Sequence, residues 1–369
     1  MEVTPETIAT TNSEFGLIVF LIVSGLLCLG SFIGIGIYLW PIYIAHLRYK
    51  NRQADSHNFI MLEVQVPRGN EYKIDAAAQM IDSLNAIKVG HSKLRSYRPQ
   101  PHISFEIVGL PESIKFYISC HKKHRDLIEK QFFGAYPDAK ISEVSEYNLF
   151  SEGGQTAYAM YGLKGANHFP FKTYKDLPTD PLSALTSSLA KMQQGEGAAI
   201  QIIVAPSDGK WKDAGKKFIK KEKDPGTGDK PKAPPDQKQL DAAEGKLSKT
   251  GFNCVVRIVA TSTNKDSAKA HLANLKSAFE QFAGPYNSFS GIKVKSEAGF
   301  IEDFIYRYQP KYAKMPVMSS EEIASVFHMP NKQIETPFIN WLPAKTAPAS
   351  EKIPTSGMYL GKSIFRGLE

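Results

Sequence analysis

The chain has 369 residues, 42% of them hydrophobic and 22% charged. That ordinary globular balance excludes wholesale disorder and fibrous repeats and leaves room for two or three domains. Three cysteines, Cys28, Cys120 and Cys254, cannot build a disulfide framework and fit a reducing compartment. The net charge of +8 comes from 45 Lys and Arg against 37 Asp and Glu, a modest excess whose location matters more than its size.

Between Glu14 and Arg48 there is no Asp, Glu, Lys or Arg, and the run Gly16–Trp40 is almost wholly apolar. As a helix this run would be about 37 Å long, enough to cross a hydrocarbon core of roughly 30 Å with some tilt. A secretory signal needs a basic stretch before a shorter apolar core, whereas residues 1–14 carry Glu2, Glu6 and Glu14 and no Lys or Arg. The expectation is a single transmembrane helix within 15–47. Arg48, Lys50 and Arg52 then form a basic anchor in a juxtamembrane segment, 48–55. Because positive loops stay cytoplasmic, the short tail 1–14 is expected outside and the bulk of the chain inside a cell membrane.

The next stretch reads as an α+β unit over 56–147. Residues 58–66 form a strand and Asp75–Ile87 a helix. His102–Val108 (HISFEIV) and Ser113–Ser119 form a hairpin, Lys122–Phe133 is a helix, and Lys140–Val144 closes the unit as a short strand. The order βαββαβ is that of a ferredoxin-like unit. A similar order recurs over 152–298. Ala157–Leu163 is a strand, Leu182–Met192 a helix, Ala198–Ala205 and Asn253–Ala260 strands, Lys265–Phe282 a helix and Gly291–Lys295 a closing strand. The fold class is therefore α+β, with one membrane helix followed by two tandem ferredoxin-like units.

A Lys-rich insertion, 208–250, separates the middle strands of the second unit. It holds 12 lysines against seven acids between Lys210 and Lys249, which is +5 of the +8, and it contains no arginine. Its run 224–236 (DPGTGDKPKAPPD) cannot bury a core and is expected to be flexible. A short amphipathic helix before that run would set Trp211, Gly215 and Phe218 on one side. Lys210, Lys212, Lys216, Lys217, Lys220, Lys221 and Lys223 are the candidate polyanion contacts, toward nucleic acid or anionic head groups. After 299 the chain reads as a helical and irregular segment to 342, with a helix start at Ser319, and then as a connector, 343–369.

Two motifs invite chemistry and fail on spacing. Gly361-Lys362-Ser363 resembles the end of a phosphate-binding loop, but Thr355 and Ser356 stand where the upstream glycine is needed, and Gly357 is too close. Cys120, His121 and His124 are metal-ligand types with no second pair at zinc-site spacing and no orienting group for a nucleophile. The residues indicate no catalytic constellation, cofactor or metal.

Residues 103–144 (ISFEIVGLPESIKFYISCHKKHRDLIEKQFFGAYPDAKISEV) nevertheless resemble a membrane-anchored domain that precedes the motor in type IV secretion and conjugation-like coupling ATPases. These belong to the FtsK/HerA-like group, in the form found in candidate-phylum bacteria. Residues 180–207, 319–342 and 357–367 are similar to the same architecture. The resemblance implies anchoring and assembly. It transfers no ATPase residue, because the motor of that family lies beyond the strand matched near 361–366. The expected function is a non-catalytic membrane scaffold of a translocation complex, a homo-oligomer that docks a translocation ATPase and other secretion-complex subunits. The alternatives are the front part of an ATP-hydrolysing DNA or protein translocase whose motor follows residue 369, and a membrane-tethered nucleic-acid-binding protein.

Overall fold

A computed structural model of the protein describes residues 5–50, 52–90, 99–224, 236–310, 315–344 and 358. Two bodies are present. One holds the N-terminal helix, and the other is built from Arg52–Gly90 and from Gln100 onward.

Helix α1 runs Pro5–Tyr49. Its segment Val19–Ile44, 26 residues, is long and apolar enough to cross a membrane. The two serine hydroxyls inside this segment donate within the helix, Ser24 to the Leu21 carbonyl and Ser31 to the Leu27 carbonyl. Pro41 lies within the same helix.

The second body is a mixed α and β structure around one sheet. Its elements are α2 (Arg52–Ser56), β1 (Phe59–Gln65), α3 (Ile74–Ser83), β2 (Ile103–Leu110), β3 (Ser113–His121), α4 (Arg125–Ala135), β4 (Lys140–Val144) and β5 (Gln155–Leu163). There follow α5 (Pro181–Leu189), β6 (Gly197–Pro206), α6 (Lys210–Lys223), α7 (Gln237–Leu247), β7 (Gly251–Ser262) and α8 (Lys265–Phe279). The chain then forms β8 (Phe289–Ile292), α9 (Glu297–Ile305), β9 (Val317–Ser319) and α10 (Ser320–Val326). Among the described residues nine strands form a single antiparallel sheet in the order β4-β1-β3-β2-β6-β7-β5-β8, with β9 on the start of β7.

Where two tandem units are expected from the sequence, the structure joins all the strands edge to edge. The seam is β2–β6, in register from Ile103 opposite Val204 to Gly109 opposite Ala198. The reason lies in composition. All ten residues of β6 are buried, so leaving this strand at an edge would expose both its apolar faces and its backbone.

Alternation along the strands sorts side chains onto two faces. Ile103, Phe105 and Ile107 of β2, Ile200 and Ile202 of β6, and Val256 and Ile258 of β7 belong to the large core. Helices α3, α4, α5, α8 and α10 contribute to that core with Ile81, Phe132, Leu185, Leu275 and Ile323. The opposite face carries a smaller cluster, with Met61, Tyr117, Val108, Ala199 and Val259 under Leu149, Phe300 and Phe304 of the 144–150 segment and α9. The C-terminal segment thus serves both faces, because α9 covers one and α10 the other. Residues Ile339 and Leu342 also bridge to Ile114 and Pro67.

The insertion, expected to be flexible, carries two helices among its described residues. The run 225–235 within it, the Gly361–Ser363 motif and all of the 343–369 connector except 343, 344 and 358 lie outside the described residues. The α6 helix docks through its apolar side. Trp211 is buried and lies so close to Gly251 that a Cβ there would meet the indole at 2.5 Å, while Phe218 stacks on His168 at 4.7 Å. On α7, Lys246 is buried and pairs at 2.9 Å with the buried Glu322 of α10.

Candidate functional site

The most unusual chemistry of the folded body lies on the smaller face of the sheet. Residues Glu63, Tyr117, Glu106, Gln201 and Arg257 stand opposite one another on β1, β3, β2, β6 and β7, a polar row across five strands. Glu106, Gln201 and Arg257 are fully buried. Strand alternation places them there, since each lies between residues that face the large core.

Glu106 is at the centre. Its carboxylate accepts hydrogen bonds from Ser104 Oγ at 2.5 Å, Tyr147 OH at 2.6 Å, Gln201 Nε2 at 3.0 Å and Arg307 Nε at 2.8 Å. Arg307 also donates to Glu146 at 3.0 Å and to the Ile305 carbonyl. It sits at φ 55, a left-handed backbone that costs a non-glycine residue on the order of 1 kcal/mol, and this turn after α9 brings its guanidinium to Glu106. Burial works against the charge on Arg307, but Glu106 overrides it and holds the guanidinium firmly protonated.

Arg257 completes the row. It donates to Gln201 Oε1 at 2.9 Å, the Asp303 carbonyl at 2.9 Å and the Tyr308 carbonyl at 2.6 Å. Its Nε has no partner, and burial pulls its pKa down to about 10, so the side chain stays charged at neutral pH. Asp303, whose acidity burial weakens while Arg257 and Arg52 strengthen it, sits 3.8 Å from Arg257. The arrangement can pin α9 and residues 306–308 to the sheet. It engages the carboxylate of Glu106 wholly with internal donors.

Arg52, singled out in the sequence as part of the basic anchor, belongs to this network. It bonds Asp303 at 2.9 Å and Glu302 at 3.0 Å and lies 4.2 Å over the Tyr308 ring. Lys50 is exposed just after α1, and the side chain of Arg48 lies outside the described ones.

The lysine candidates do not join the network. Lys210, Lys216, Lys217, Lys220, Lys221 and Lys223 are exposed on α6, and Lys212 is half-buried, 5.6 Å over the Trp211 ring. Lys210 pairs with Asp208 and Lys223 with Glu244.

His121 and His124 lie ring to ring at 6.4 Å, and Cys120 is apart from them. Cys120 is buried in the large core, where burial pushes its thiol up to about 12, and His121 Nδ1 accepts from the Lys123 amide. No group of three or more His, Cys, Asp or Glu positioned to hold a metal occurs among the described residues.

The polar row as a whole is not legible in local sequence. A signal was present, because Glu106 in HISFEIV and Arg257 in NCVVRIVA are charges inside strands, each surrounded by apolar residues. What these charges meet, Arg307 and Tyr308, lies far along the chain.

A family model described as a domain of unknown function, DUF8128, matches residues 50–342. The chain belongs to this family. The match covers the whole polar row, the lysine helix and the seam of the sheet, so all three are features of the DUF8128 region. No curated protein matches the chain. Among solved structures, that of aclacinomycin oxidoreductase is similar at 12% identity, covering 61% of this chain and 41% of its own, with a TM-score of 0.29. A likeness that low bears on neither the fold nor the function of the DUF8128 domain.

Proposed function

We propose that this DUF8128 protein is a non-catalytic, membrane-anchored scaffold of a type IV secretion or conjugation-like translocation complex, and that it docks an ATP-driven motor at the inner face of the membrane. In this reading α1 crosses a cell membrane once, with the acidic tail outside and Arg48, Lys50 and Arg52 inside. Each half of the sheet is a ferredoxin-like unit, since β4-β1-β3-β2 and β8-β5-β7-β6 follow the same pairing order relative to their own sequence. The resemblance of residues 103–144, 180–207, 319–342 and 357–367 to the region ahead of coupling-ATPase motors supplies the class of complex.

The observation that carries the reading is the attachment of Arg52. The first residue of the folded body is bound to Asp303 and Glu302 and, through Asp303, to the buried row on β2, β6 and β7. In this reading a load that reaches Arg52 along the chain is carried to the centre of the sheet, as suits an assembly anchor. In this reading the outer edges of the sheet, at β4 and β8, receive a second copy or a partner strand.

Crosslinking in native membranes followed by mass spectrometry tests the proposal. A translocation ATPase and further copies of the chain are the expected products, and their absence removes the reading. Immunoblotting the native protein decides the translocase alternative, because a species larger than 40.9 kDa by a motor domain replaces the scaffold with the front of a translocase.

A further inference from the structure

The lysine face of α6 has a stated place in the fold. Strand β1 begins at Phe59, opposite His121 at the end of β3. Ile103 at the start of β2 lies opposite Val204 near the end of β6. These strand ends therefore share one end of the sheet. The chain enters the body there through α2, and β6 leaves there into α6. The α6–α7 pair returns to the start of β7 at that same end, where Pro206 lies opposite Phe252. Three strand spacings separate β1 from β6, about 14 Å.

The chemistry of the helix narrows its ligand. It carries seven lysines against Asp213 and Glu222, a net +5 over Lys210–Lys223. Its two aromatic residues, Trp211 and Phe218, are turned inward onto Gly251, His168 and Phe169. They are not available to stack on bases, which single-stranded nucleic acid binding relies on. With no arginine in 206–251, planar two-point recognition of phosphates or base edges is absent too. Exposed point charges without presented aromatics suit a diffuse anionic surface. Lys216, Lys217 and Lys220 stand exposed with no ion pair among the described residues, so engaging such a surface breaks nothing.

We infer that this face of α6 rests on anionic lipid head groups of the membrane that holds α1. The inference depends on the anchored reading of α1 given above. Chain connectivity makes it feasible, since α1 runs on to Tyr49 and the three residue steps from there to Arg52 reach at most about 11 Å. Each lysine near an anionic leaflet strengthens attachment by about five-fold.

The test uses the full chain in vesicles of phosphatidylcholine alone or with about 30% phosphatidylserine, labelled with an amine-reactive reagent and read by peptide mass spectrometry. Lys191 and Lys265 are exposed at the opposite end of the sheet and serve as internal controls. The expected result is labelling of Lys216, Lys217 and Lys220 slowed by about five-fold or more only in the anionic vesicles. Lys191 and Lys265 stay unchanged, and the protection is lost in about 0.5 M salt. The triple change Lys216→Glu, Lys217→Glu, Lys220→Glu is expected to expose Lys210 and Lys221 equally in both vesicles. Equal labelling in the two vesicles overturns the inference, as does equal protection of Lys191. Protection by a single-stranded oligonucleotide but not by vesicles overturns it in favour of a nucleic-acid contact. Alkaline extraction of the same vesicles reports on the anchor separately, so loss of α1 insertion is told apart from failure of the α6 contact.

Discussion

Replacing Glu106 with Gln probes the buried row most directly. The carboxylate accepts from four side chains, Ser104, Tyr147, Gln201 and Arg307. A carboxamide has one acceptor oxygen and one donor nitrogen, so in either orientation an N–H faces another donor, and Arg307, its side chain only 5% exposed, keeps no buried counter-charge. Removing one member of a buried ion pair costs about 3–5 kcal/mol. For a body of this size that lowers Tm by about 6–10 °C. Thermal unfolding of the full chain in detergent, followed by near-ultraviolet circular dichroism, measures this directly. The double variant E106Q with Arg307→Met removes the stranded guanidinium and should recover more than half of the loss. A fall of less than about 2 °C for E106Q, equivalent to about 1 kcal/mol, would show that water shares the cluster and that the row does not hold α9 to the sheet.

Three further outcomes follow from individual contacts. Burial, opposed by the hydrogen bond to the Arg307 carbonyl and aided by the Arg257 charge, lowers the pKa of His102 from 6.5 to about 4. The unfolded chain therefore takes up this proton first, and up to about 3 kcal/mol of stability present above pH 6.5 is lost as pH falls toward 4. Urea midpoints of wild type and His102→Gln compared at pH 7 and pH 4.5 should converge on acidification, and parallel curves would remove the assignment. Gly251→Ala puts a methyl group against the Trp211 indole and should loosen α6, seen as tryptic cleavage at its lysines several-fold faster than in wild type; unchanged cleavage would mean that the ring moves without cost. Lys246→Met leaves the buried Glu322 carboxylate without its counter-charge and should cost about 3 kcal/mol in chemical denaturation; a neutral variant would contradict a dry pair.

Much of the folded body is legible in local sequence, and the reasons are local. The alternation in HISFEIV marks β2, and Asp75–Ile87 has the periodicity of the helix found as Ile74–Ser83 with a short 3-10 turn over Leu84–Ile87. Ser319 with Glu322 reads as a capping box, and both reciprocal bonds form. The apolar run 16–40 is legible as a helix long and apolar enough to cross a membrane, because length and composition need no distant partner. The amphipathic pattern of Trp211, Gly215 and Phe218 likewise identifies the docked side of α6.

The joining of eight strands along β2–β6 depends instead on two edges, 95 residues apart at Glu106 and Gln201, finding each other. No local period encodes that pairing. The candidate site shows the same division. The sequence places Glu106 and Arg257 on the face away from the large core, since alternation fixes the side on which they lie. It cannot show that Arg307 arrives 201 positions later to neutralise Glu106, or that Arg52, readable only as a basic residue after a membrane helix, clasps Asp303 across 251 positions. Charge buried in a strand is tolerable only when its partner is supplied, and here tertiary structure alone supplies it.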